Sequence, residues 1–84
     1  MESRVAVIGI IIENSEVVDR VNSILHENAH YILGRMGIPY REKGINIISI
    51  AIDAPQDVIS QISGKIGRLS GVSAKTAYSG IITK

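Results

Sequence analysis

Hydrophobic and polar positions follow two different periods along this chain. Val5-Ala-Val-Ile-Gly-Ile-Ile-Ile12 is apolar at both parities, the pattern of a strand covered on both faces. Asn14-Ser15 follows as an N-cap, and Glu16 and Asp19 complement the positive end of a helix. Val17, Val18, Val21, Ile24 and Leu25 then recur at helical spacing and form one apolar stripe. The pattern ends this helix at Asn28-Ala29, because asparagine tolerates the left-handed conformation found after helices. Tyr31 to Met36 reads as a second strand. Gly37 to Gly44 reads as a loop bounded by glycines and broken by Pro39. Ile45 to Ile52 is a third strand, again apolar at both parities. Asp53-Ala54-Pro55 opens a second helix, with Pro55 at an early position that needs no N–H. Its stripe is Val58, Ile59, Ile62, Ile66 and Leu69. Gly71 breaks it, Val72 to Tyr78 alternates as a last strand, and Ser79 to Lys84 either frays or pairs.

The order β-α-β-β-α-β defines an α+β, ferredoxin-like sandwich: an antiparallel four-stranded sheet with two helices on one face. That topology places the first and third strands at the centre. They are also the two strands that are apolar at both parities, so pattern and topology agree. Residues 1–84 read as one domain, with no linker, repeat or low-complexity segment. Helices cover one sheet face only, which leaves isoleucines and valines of the central strands toward water on the other. A contiguous apolar patch of that kind marks an interaction surface. The expectation is a homo-oligomer, a dimer or a tetramer.

Composition sharpens this. With 84 residues, the core of a single domain is marginal and calls for a staple. Cysteine is absent, which removes disulfides, thiolate metal sites, iron–sulfur clusters and thiol nucleophiles. A partner subunit is the staple that remains most natural. The formal net charge of +1 generates no field that calls for nucleic acid or membrane. The run Val5 to Ile12 is too short to span a bilayer and has no basic region before it. The chain reads as soluble, cytoplasmic and full-length.

One catalytic signature stands out. His26-Glu-Asn-Ala-His30 fits H-E-x-x-H, which on a helix aims two imidazoles at a zinc ion and offers the glutamate as base. Helix phase argues against it. His26 lies about 140° from the centre of the apolar stripe at about 100° per residue, on the water side with Asp19 and Ser23. A helix end near Asn28 puts His30 in a different element and destroys the i,i+4 spacing. No third histidine exists. No cofactor is expected, and a surface or inter-subunit metal site using His26 or His30 with Asp19 is the residual alternative. None of the other serine, acid or base positions forms a nucleophile with its base and orienter, so the chain reads as a non-enzyme. The central strands carry no aromatic residue for stacking on RNA bases.

The densest chemistry is Gly34-Arg-Met-Gly-Ile-Pro-Tyr-Arg-Glu-Lys-Gly44. Arg35 and Arg41 suit a carboxylate or phosphate held bidentately, with Tyr40 between them. The plainer account is a hairpin connection whose charges blunt an edge strand. At the turn Ile12 to Glu16, free backbone N–H groups can hold an anion, although Glu13 and Glu16 oppose one and ordinary capping by Asn14 explains the residues.

Several runs together carry a family resemblance. Arg4-Val-Ala-Val-Ile-Gly-Ile, Val21-Asn-Ser-Ile-Leu-His, Gly34-Arg-Met-Gly-Ile-Pro-Tyr-Arg, Gly44-Ile-Asn-Ile-Ile-Ser and Gly64-Lys-Ile-Gly-Arg-Leu-Ser-Gly-Val-Ser resemble the regulators of the iron-only hydrogenase system. The run from Gly34 to Arg41 is the most specific. The resemblance implies an ACT-like domain, similar to the ligand-sensing half of nickel-responsive repressors. Such domains bind small ligands at subunit interfaces and change a partner's activity. Nickel-responsive repressors add a ribbon-helix-helix DNA reader, for which this chain leaves no residues. It also lacks a cysteine ligand and strand-borne histidines. The expectation is a regulatory, homo-oligomeric domain that binds a small ligand or a protein partner through Asn14, Arg35, Tyr40 and Arg41. The alternatives are a DNA-binding regulator acting through Arg35, Arg41 and Lys43, recognised by a salt-dependent gel shift, and a metal sensor.

Overall fold

The computed structural model describes residues 2–83. Its elements are β1 (Ser3–Ile12), α1 (Val18–Glu27), β2 (Ile32–Tyr40), β3 (Ile45–Ala54), α2 (Gln56–Gly67) and β4 (Val72–Thr83). All pairings are antiparallel and the order across the sheet is β2-β3-β1-β4. This is the ferredoxin-like α+β arrangement, with the two doubly apolar strands at the centre as expected.

The even positions of the central strands make the core. Ala6, Ile8, Ile10 and Ile12 of β1 and Ile48, Ile50, Ile52 and Ala54 of β3 are buried. Val21 and Leu25 of α1 and Ile59, Ile62 and Ile66 of α2 close over them. The odd positions stand on the opposite face, where no element among the described residues covers them.

The local structure differs from expectation at several points, although the end of α1 at Asn28 is where the pattern placed it. Gly37 to Tyr40 is strand, not loop: β2 runs to Tyr40 and pairs Ile38 with Ile47 and Tyr40 with Ile45. Pro39 is tolerated because β2 is an edge strand, where a missing N–H costs no ladder bond. Only Arg41–Lys43 turns, and Gly44 closes the turn at φ 65°. Asn28 ends α1 without a left-handed backbone, at φ −112°. Its Nδ2 instead donates to the carbonyl oxygen of Ile24 at 2.8 Å, satisfying one of the carbonyls a helix end leaves free. Asp53 and Ala54 finish β3 opposite Val5 and Arg4 rather than opening a helix, and α2 begins after Pro55. Leu69 lies beyond the end of α2 but still packs against the core.

The tail pairs. β4 continues to Thr83, with a bulge in which Arg4 faces Ile82 and Ala6 faces Tyr78; Lys84 lies outside the described residues. Arg4 holds this bulge, donating to the Ser79 carbonyl oxygen and to Gln56 Oε1, both at 2.9 Å. Its guanidinium also sits 4.6 Å from the Tyr78 ring centroid.

The β1–α1 turn is locked from two sides. Asn14 Oδ1 accepts from the Glu16 N–H at 3.1 Å, capping the short 3-10 turn Ser15–Val17 that leads into α1. Glu13 N–H donates to the Gly71 carbonyl oxygen at 2.7 Å. Gly71 has φ +74°, and a Cβ there would lie 2.8 Å from the Asn14 Cβ. Both conditions require glycine. Asn14→Ala is expected to cost about 1 kcal/mol, the usual loss for an N-cap acceptor, read as a lower urea midpoint at unchanged slope.

Candidate functional site

The four residues singled out for recognition do not form one site. Arg35 lies on the helix side of β2, opposite Ile50. Its Nη2 donates to Asn22 Oδ1 on α1 at 2.7 Å. Tyr40 stands on the other, uncovered face, opposite Ile45, and Arg41 lies in the turn after β2. Asn14 follows β1 at the same end of the sheet, since Ile12, Asn46 and Pro39 share one row. Strand alternation separates Arg35 from Tyr40 because they differ by an odd number of residues. Arg41 and Lys43 share the turn while Arg35 faces α1, so no common basic surface forms from these three.

Arg35 has a pocket beside it. A depression of about 230 Å³ opens between the edge of β2 and α1, lined by Val18, Asn22, Arg35, Gly37, Pro39 and Asn46 among others. Gly37 keeps its floor open, with nothing within 4 Å of a Cβ built there. The Arg35–Asn22 hydrogen bond aims the guanidinium across its rim. Asn22 was not singled out from the sequence. Its signal was available: it sits within α1 one residue from the buried Val21, at the edge of the apolar stripe.

The uncovered sheet face is broadly apolar. Val7 (44% exposed) and Ile11 (45%) of β1 continue into Ile38 (48%) and Met36 (57%) of β2 through Ile47 and Ala51 of β3. At its centre Gly9 and Ser49 leave an apolar dimple of about 290 Å³ between Ile11, Ile47 and Lys75. Asp53 stands at one end of this face, with its Oδ1 buried and without a hydrogen-bond partner among the described residues.

The histidines are in separate elements. His26 is on α1, which ends at Glu27, and His30 is in the 3-10 turn Ala29–Tyr31. Both are exposed, and the His30 ring lies against Tyr31 with centroids 4.0 Å apart. His26 shares an open hollow on α1 with Asp19 and Glu27, but no group of three or more His, Cys, Asp or Glu is placed to hold a metal among the described residues. No helix among them is long and apolar enough to cross a membrane.

A second cleft, of about 490 Å³, runs between the two helices on the outer side. Arg20, Ile24 and Glu27 line one bank and Lys65, Arg68 and Leu69 the other. The sequence reading passed over it, because these cations are spread through two amphipathic helices and read there as ordinary solvated positions.

Fold and site together define a small ferredoxin-like α+β domain with a bare apolar sheet face. The chain belongs to the TM1266-like family, described as "Iron-only hydrogenase system regulator, putative", whose model matches residues 4–76. Among solved structures it is similar to the uncharacterized protein TM1266 from Thermotoga maritima: 34% identity over 90% of this chain and 96% of that one, with a TM-score of 0.86. It also shares its fold with a formyltetrahydrofolate deformylase from Pseudomonas putida KT2440. There the identity is 11%, the TM-score 0.64, and the match covers 87% of this chain and 28% of the deformylase. No curated protein matches the chain.

Proposed function

We propose that this chain is a non-enzymatic, cytoplasmic regulatory domain of the iron-only hydrogenase system that works as a homo-oligomer. A second copy covers the open sheet face, and the Arg35 pocket receives a small anionic ligand or the acidic group of a protein partner. The observation that carries this is the uncovered face itself. Four strands of about ten residues present about 600 Å² per chain at ordinary strand spacing and rise. That approaches the roughly 800 Å² per partner of a standard interface. The face is self-complementary in character, apolar through its middle with Lys75 and Asp53 as its charges. An 84-residue domain without cysteine also gains from such burial, since its own core is small. The ACT-like character implied by the resemblance fits this reading, with binding coupled to association between copies.

The carboxylate or phosphate of a ligand would meet Arg35 side-on, where a planar guanidinium forms paired hydrogen bonds. Arg35→Ala is expected to leave unfolding within about 0.5 kcal/mol of the parent, as for exposed positions. The same variant should abolish retention of a co-purifying ligand or partner in native mass spectrometry of protein isolated from its own host. Unchanged retention in Arg35→Ala would remove Arg35 from the recognition site.

A further inference from the structure

We infer that the cleft between α1 and α2 is a binding site for a nucleoside phosphate. Arg20 stands on one bank and Lys65 and Arg68 on the other, with Glu27 the single acid among the lining residues. The whole chain carries a formal net charge of only +1, so this one cleft holds more positive charge than the entire molecule. Local structure accounts for two of the three cations. Lys65 is in the last turn of α2 and Arg68 caps it, its Nε donating to the Gly64 carbonyl oxygen at 3.1 Å; cations are favoured at a helix C-terminus. Arg20 has no such reason. It lies in the first turn of α1, where the helix dipole opposes a cation. It makes no hydrogen bond or ion pair through its side chain with the described residues. Three cations around one cleft with a single acid among them repel in sum, and an anion between them removes that repulsion.

The form of the cleft selects the anion. Guanidinium groups hold a phosphate through paired hydrogen bonds and the lysine adds a mobile point charge. Ile24 and Leu69 supply apolar wall for a flat ring system, and Glu27 lies two turns from Arg20 along α1, where it can accept from a hydroxyl or amino group. A volume of about 490 Å³ is in the range of small-molecule sites. The cleft is on the helix side of the sheet. Assembly through the sheet face leaves one such site open on every copy, and the inference stands whether or not that assembly forms.

The test is isothermal titration of the full chain with ATP, inorganic pyrophosphate and adenosine in low salt, repeated with a single-stranded oligonucleotide. ATP is expected to bind once per chain, pyrophosphate more weakly and adenosine not at all. Arg20→Ala with Arg68→Ala should weaken ATP binding at least about tenfold, as loss of two guanidinium–phosphate contacts implies, while Lys43→Ala, outside the cleft, leaves it unchanged. The lysine pair Arg20→Lys with Arg68→Lys should recover part of the loss. Circular dichroism of each variant confirms the fold. Absence of ATP and pyrophosphate binding, equal affinity in the alanine pair, or binding of the oligonucleotide alone would each overturn the inference.

Discussion

Ile11→Glu combined with Ile38→Glu is expected to turn an assembled protein into a folded monomer. Both side chains are close to half exposed in the single chain, at 45% and 48%. They stand in one row with Ile47 across β1, β3 and β2. In the isolated domain a carboxylate at either position reaches water, so the fold loses little. Between two copies the same carboxylates are buried against apolar side chains, and each copy contributes both. An unpaired charge in that setting costs several kcal/mol. An increase of about 3 kcal/mol or more corresponds to more than about a hundredfold in the association constant. Sedimentation velocity should show the parent above monomer mass at micromolar concentration and the variant at monomer mass, with matching circular dichroism. A parent that is already monomeric removes the premise.

The second large effect lies on the other face. Ile50→Ala is expected to lower unfolding stability by about 2–5 kcal/mol, the range for truncating a fully buried aliphatic side chain. Ile50 is fully buried on the central strand β3 and pairs with Ile8 on one side and Arg35 on the other. A domain of this size has only about 4–12 kcal/mol in total at the usual stability per residue, so the variant sits near the edge of folding. Ile47→Ala, three residues away and on the open face, supplies the contrast. Measured in the monomeric Ile11→Glu, Ile38→Glu background, it should cost under about 1 kcal/mol, because much less of its surface is buried. Urea unfolding at constant slope distinguishes them. Equal losses at the two positions would mean that the faces are not as different as the burial pattern states.

The fold was legible because two independent signals coincided. Strand order followed from topology, and the central pair was marked by apolar residues at both parities. Those double-apolar strands also announced the bare face: a lone domain of this kind covers one parity only, so Val7, Ile11 and Ile47 have no cover among the described residues. The misread segment was Gly37 to Tyr40. Glycine and proline are loop signals in isolation, but an edge strand tolerates both. Its register is held by pairing with β3 across the short turn Arg41–Lys43, which no signal within Gly37 to Tyr40 reveals. Asn28 was placed at the helix end for the wrong reason, since the side-chain bond to Ile24 replaces a left-handed backbone.

The candidate site was less legible for a related reason. The stretch from Gly34 to Gly44 looked like one loop with its polar groups gathered. Extending β2 through it sends Arg35 toward α1 and Tyr40 to the open face, with Arg41 left in the turn. The Arg35–Asn22 hydrogen bond and the gathering of Arg20, Lys65 and Arg68 around the α1–α2 cleft bring together residues of separate elements. Their spacing along the chain has no period, so only the packed fold shows them. The division of the HENAH run was legible, because the helix end is a local property: α1 stops at Glu27 and His30 falls in the 3-10 turn.

The central claim is that a second copy of this chain covers the open sheet face. Isotope-filtered NMR on a mixture of labelled and unlabelled chains tests it directly, since it records only contacts between copies. The account predicts nuclear Overhauser contacts among the methyl groups of Val7, Ile11, Ile38 and Ile47 of different copies. Contacts between copies confined to α1 and α2, or none at all, would contradict it.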